Sequence, residues 1–173
     1  MFYKLDNDYI EYCNGDNLWL EIKTNKDIEK FMKDTGGLHD AVIVSVQYES
    51  GCKNEGDKQI IHSLAINYKL LLNLDSQWVG RIEMLFEGVR HFRFGTYCDN
   101  YSNEIYDCYL EIRTDLLGKT RDDRLIVWSD YSGFKPVWKS SCIDLNKGDA
   151  SVIIADSLKY RLIEEDEKCL QKE

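Results

Sequence analysis

Hydrophobic and polar positions change period several times along this chain, and each change marks an element. β-branched and aromatic residues at 9–13 and 17–22 flank Asn14-Gly15-Asp16. An Asn-Gly pair supplies the positive φ of a tight turn, so this stretch predicts a β-hairpin. A helix is expected next. Thr24 is placed to cap it, with Asp27 three residues on as an approximate capping box. Ile28, Phe31 and Met32 share one face, while Glu29, Lys30 and Lys33 share the other. Gly36-Gly37 ends it through the left-handed cap.

After the glycines the period becomes two. The alternation predicts strands over 41–49, 60–72, 81–86, 89–94, 104–113, 124–129 and 152–163. The segment 60–72 alternates well, with Leu64, Ile66, Tyr68 and Leu70 opposite Ser63, Ala65, Asn67 and Lys69. Residues 50–58 predict a polar turn. Residues 132–150, with the single proline Pro136, predict mostly loop. The connections are too short for helical crossovers, so the pairing should be antiparallel. The expected fold is mainly β, a β-dominant α+β domain: an antiparallel sandwich or strongly curved sheet with one N-terminal helix. One domain is expected over 1–173, made of a hairpin and helix (8–35), a β-rich core (38–163) and an acidic tail (164–173).

Composition narrows the classes. A chain of 173 residues suits about one domain with a self-sufficient core. Its six cysteines contain no CxxC pair, and the N-terminus has no apolar signal core. A cytoplasmic protein with free thiols is therefore expected. No apolar run approaches the ~18 residues of a membrane span, so no membrane is expected as a partner. Net charge is −9. That excludes a general phosphate-gripping surface, hence nucleic acid, and suits a basic protein partner. The acidity concentrates in the tail and at Asp99, Glu104, Asp107, Glu111, Asp115, Asp122 and Asp123, whereas Arg81, Arg90, His91 and Arg93 cluster elsewhere.

Two short motifs carry candidate chemistry. His39-Asp40 follows the glycine turn, and a carboxylate beside a histidine can orient the imidazole for acid–base work. Strand neighbours point to opposite faces, so the same pair also reads as a turn that ties down backbone amides. Trp128 and Asp130, in Trp128-Ser129-Asp130-Tyr131, read either as an exposed aromatic–acid platform or as a core tryptophan beside a turn carboxylate. The histidines His39, His62 and His91 have no metal-ligand spacing, and no nucleophile elbow, P-loop or dinucleotide fingerprint occurs. No cofactor, metal or catalytic residue is expected, and the enzyme class is disfavoured.

Several segments form a wider pattern. Leu38-His39-Asp40-Ala41-Val42-Ile43 followed by Tyr48-Glu49-Ser50-Gly51 resembles the signature "FHDS.I....Y.SG" of small β-rich proteins from Gram-positive bacteria. The run Arg81 to Val89 is similar to their "EL.FEGV", Ile105-Tyr106-Asp107 to "I.DA", Ile126-Val127-Trp128-Ser129-Asp130 to "IYWCD", and the run Ile154 to Arg161 to "I.A..LRWR". Leu38, Ala41 and Tyr160 depart from it. The pattern is also similar to immunity proteins of the immunity protein 50 type, associated with polymorphic toxins. The resemblance implies a cytosolic binding protein that neutralises a partner such as a basic toxin domain. It carries over no catalytic residues. The competing expectation is a small-molecule-binding or hydrolytic module using His39-Asp40.

Overall fold

The computed structural model describes residues 18–61, 68–95, 103–116, 124–139, 142–144 and 150–163, except the side chains of 138–139 and 142–144. The turn at 14–16, residues 62–67 of the predicted long strand, the tail 164–173 and residues 99, 122 and 123 lie outside them. Among the described residues the chain is β-dominant, with one α-helix and antiparallel pairing throughout. No helix of the described residues is long and apolar enough to cross a membrane.

The elements in chain order are β1 (Leu20–Glu21), α1 (Asn25–Asp34), β2 (Ala41–Glu49), β3 (Lys53–Glu55), β4 (Lys58–Ile60), β5 (Lys69–Ser76), β6 (Gly80–Glu87), β7 (His91–Arg93), β8 (Glu104–Ile105), β9 (Tyr109–Arg113), β10 (Leu125–Ser129), β11 (Val137–Lys139), β12 (Cys142–Asp144), β13 (Val152–Ala155) and β14 (Ser157–Ile163). A six-stranded sheet runs β1-β14-β6-β5-β2-β8, and a four-stranded sheet runs β7-β13-β10-β9. Their inner faces share one core. Leu70, Leu72, Leu74, Ile82, Met84, Phe86, Leu158 and Tyr160 come from the larger sheet, and Ile126, Trp128, Ile153 and Ala155 from the smaller. Phe86 and Trp128 meet across it, ring centroids 6.4 Å apart.

The helix forms as its sequence predicts. Thr24 caps the Asp27 amide at 3.3 Å, and the Asp27 carboxylate accepts from the Thr24 amide at 2.7 Å. Phe31 is buried edge-on against Tyr160, centroids 4.9 Å apart. Tyr160 also donates to the Asp34 carboxylate at 2.8 Å, tying the helix end to β14.

Five expectations need correction. The strand expected over 60–72 is not found as such among the described residues: Ile61 and Tyr68 lie outside strands, and β5 begins at Lys69 and runs on to Ser76. The predicted strand 152–163 breaks at Asp156 into β13 and β14, which lie in different sheets. Its partner breaks in register, because β6 gives way at Gly88 to β7, which pairs with β13. The corner depends on both breaks: a Cβ on Gly88 (φ +68°) would meet the Asp156 Cβ at 2.7 Å. Across it, the Arg90 Nε donates to Asp156 Oδ1 at 2.6 Å. Two strands thus change sheets together, and the curvature closes the core. The predicted strand 104–113 likewise splits, β8 pairing with β2 and β9 with β10. The expected turn 50–58 and loop 132–150 each contain strand pairing, β3–β4 and β11–β12.

β10 also departs from alternation, with every residue buried. Its outer face supports a second apolar cluster of Leu116, Leu125, Val127, Phe134, Val152 and Ile154. The outer face of the larger sheet is a polar ladder instead. Arg161 binds Glu83 at 2.6 and 2.8 Å and stacks on Trp19 at 4.5 Å, and Lys159 binds Glu87 at 2.7 Å. The basic cluster seen in the sequence is consumed by structure: Arg90 holds Asp156, and Arg93 donates to the Ala150 carbonyl at 3.0 Å.

Candidate functional site at the glycine turn

The turn between α1 and β2 is conformationally unusual. Gly36 and Gly37 have positive φ, and so do Leu38 and Asp40, both at +60°. For a residue with a Cβ this region costs on the order of 1 kcal/mol or more. Leu38 is fully buried, so apolar burial offsets its cost. For Asp40, whose side chain is 23% exposed, local polar bonds provide the offset instead.

The left-handed conformation changes where the two side chains point. His39 is extended (φ −60°, ψ 131°), and Asp40 turns back toward it. His39 Nδ1 and Asp40 Oδ2 therefore lie 2.9 Å apart. The strand-neighbour rule does not apply, because Asp40 precedes β2 and is not in strand geometry. The same Oδ2 accepts from Gln77 Nε2 at 3.0 Å, and the Asp40 amide donates to the Ile105 carbonyl at 2.9 Å. Asp40 thus ties together three segments: the turn, the β5–β6 hairpin tip and β8. The carboxylate binds side chains here rather than capping backbone amides.

Two aromatic residues sit beside these partners. Trp78 follows Gln77 and is 68% exposed, and Tyr106 follows Ile105 and is 58% exposed. His39 is largely exposed as well. Val42, one residue into β2, is exposed, and its partners in register are Asp75 and Glu104. This end of the sheet therefore presents aromatic and apolar side chains together with Asp40, Asp75 and Asp107. Neither Trp78 nor Gln77 stands out by periodicity. The one available signal was a tryptophan inside a polar hairpin turn, where no core position calls for it.

Trp128 and Asp130 lie elsewhere in the fold. Trp128 is fully buried on the inner face of β10, so the packing reading holds for that residue. Among the described residues its indole Nε1–H has no partner. Asp130 ends β10, where its carboxylate accepts from the Ser151 amide at 2.8 Å. Burial pushes its pKa above the ordinary value, against that bond and the nearby Arg93. These contacts make Asp130 a clasp between β10 and β13. His91 lines the β7 edge, and burial together with Arg93 lowers its pKa. Among the described residues Cys52 and Cys108 form no disulfide. Burial pushes the Cys108 thiol up to about 12, which keeps it protonated and unreactive at neutral pH.

Compared with protein-family models, with curated proteins and with solved structures, the chain finds no match in any of the three.

Proposed function

We propose that this chain is a protein-binding module that neutralises a basic partner, with the surface around Asp40 as its docking face. The observation that carries this reading is two exposed aromatics, Trp78 and Tyr106, each next in sequence to a residue that bonds Asp40. Tryptophan and tyrosine dominate binding hot spots. The net charge of −9 would speed encounter with a basic protein. The resemblance to immunity proteins, with a toxin domain as the partner and the cytoplasm as the setting, points the same way.

A photo-crosslinking residue at position 78 tests this in extract of the native host, with position 59 on the β3–β4 hairpin as the control. One basic protein, captured from 78 and not from 59, is expected. Its purified form should rebind the native chain and lose affinity for Trp78→Ala. Capture of the same mixture from both positions would defeat the proposal.

A second reading, acid–base chemistry at His39, draws on the 2.9 Å contact with Asp40. Hydrolysis of a generic ester or phosphoester panel that disappears in His39→Gln would favour it, and equal background rates would remove it.

A further inference from the structure

His91 is packed into the fold with a ring nitrogen that nothing bonds. It opens β7, the end strand of the four-stranded sheet, and pairs in register with Ile154. Residues opposite one another in an antiparallel pair share a face. The His91 ring therefore lies on the outer face beside Ile154, a member of the second apolar cluster, and Arg93 follows on the same face beside Val152. His91 Nε2 is buried, and among the described residues it has no hydrogen-bond partner. Phe92, between the two, faces inward. It pairs with the core residue Ile153 and packs on Tyr48 of β2, ring centroids 4.7 Å apart.

A neutral imidazole fits this setting at the cost of one unmade bond. An imidazolium does not. Protonation gives both ring nitrogens an N–H, so the buried Nε2 becomes a charged donor without an acceptor, close to the Arg93 guanidinium. The carboxylates on the neighbouring elements are already engaged. Asp156, at the β13–β14 corner, is held by Arg90, the residue before His91. Asp130, at the end of β10, accepts from the Ser151 amide and has Arg93 nearby. Glu111 shares the row through Val127 but stands on β9, the opposite end strand, where Tyr109 and Arg113 engage it. Burial and Arg93 accordingly hold the imidazole pKa below its ordinary 6.5. β7 itself is three residues long and, among the described residues, pairs only with β13. Short end strands of this kind open locally at a small free energy.

We propose that His91 is a proton-operated latch: its protonation releases β7 from β13 and parts the two sheets between Phe92 and Tyr48. An opened β7 places the imidazole in water, where it titrates at its ordinary value, so the open state takes up the proton first as pH falls. Opening then grows below about pH 6.5, by at most about tenfold per pH unit, and levels off below the folded-state value. Asp130 acts in the opposite sense, since its raised pKa makes the folded state the better proton acceptor. The latch does not depend on the partner-binding reading.

Native-state hydrogen exchange of the full chain, corrected for intrinsic amide rates, tests this at about pH 7 and about pH 5.5, on either side of the ordinary imidazole value. The amides compared are those of β7 and of Arg90, which bonds the Ile154 carbonyl at 2.8 Å. Their protection should fall about threefold or more at the lower pH, relative to amides of the β9–β10 ladder. In His91→Phe, which keeps a ring beside Ile154 and takes up no proton, that fall should disappear. In Asp130→Asn it should remain. The His91 ring protons of the native chain, followed by NMR, should report a titration midpoint below 6.5. Equal protection at the two pH values, an unchanged fall in His91→Phe, loss of the fall in Asp130→Asn, or a midpoint at or above 6.5 would each overturn the latch. The midpoint needs no variant, so it decides the matter even where His91→Phe does not fold.

Discussion

Replacing Asp40 by glycine and by alanine separates the backbone of the turn from its side-chain contacts. Both variants lose the contacts to His39 and Gln77. Exposed contacts of this kind contribute roughly 0.5–1 kcal/mol in total. The variants differ in what they do at φ +60°. Glycine enters that region freely, recovering about 1 kcal/mol of strain, and gives back about 0.4–1 kcal/mol through greater unfolded-state freedom. Alanine, without the local polar bonding that makes the region tolerable for aspartate, carries the full strain of about 1–2 kcal/mol there. Asp40→Gly should therefore lie within about 1 kcal/mol of the native chain, and Asp40→Ala about 1 kcal/mol below Asp40→Gly. For a chain of this size that gap corresponds to roughly 2–4 °C in Tm. Urea titration with thermal melts measures it. Equal stability for the two variants would refute the argument that Asp40 is held against its backbone preference. A loss above ~3 kcal/mol in both would show that the turn is retained for folding.

At the sheet corner, Gly88→Ala should destabilise by about 2 kcal/mol or more, since the new Cβ meets Asp156 in a left-handed conformation. Adding Asp156→Gly should recover part of that loss, and additive losses in urea titration would contradict the coupled corner. Trp128→Ala should cost about 3–5 kcal/mol, and Trp128→Phe less than about 2 kcal/mol because it removes a donor without a partner; equal costs would contradict that account. The Asp130 carboxyl titrates above its ordinary 3.8 in the folded chain, so the folded state holds the proton more tightly. Its contribution to stability is present below the unfolded value and declines as pH rises through the raised one. Asp130→Asn should therefore gain relative to the native chain between about pH 3 and pH 7, and a flat difference in denaturant midpoints across that range would refute this.

The parts of the fold legible in the sequence are those governed by neighbours in the chain. The capping box of Thr24 and Asp27 and the stripe of Ile28, Phe31 and Met32 are local and appear where expected, and β6 covers its predicted segment, whereas β5 begins at Lys69 and runs to Ser76, past the predicted end at 72. The sheet corners were not legible, because Asp156 interrupts a strand only by meeting Gly88, sixty-eight residues earlier in sequence. β10 is buried on both faces because residues as distant as Leu116 and Phe134 cover its outer side. At the site, the pair His39 and Asp40 could be picked out by residue type alone. Their contact could not, since it follows from a left-handed backbone at Asp40 that no local pattern announces. Trp78 and Tyr106 reach the same surface only through the pairing of β2 with β5 and β8.

The central claim is that the Asp40–Trp78 face binds a basic protein. The most direct measurement is the affinity of the purified captured partner for the native chain and for Trp78→Ala, at low and high salt. The account predicts at least a tenfold loss on Trp78→Ala with Tm unchanged, and weaker binding by the native chain at high salt. Equal affinity for the two proteins would contradict it.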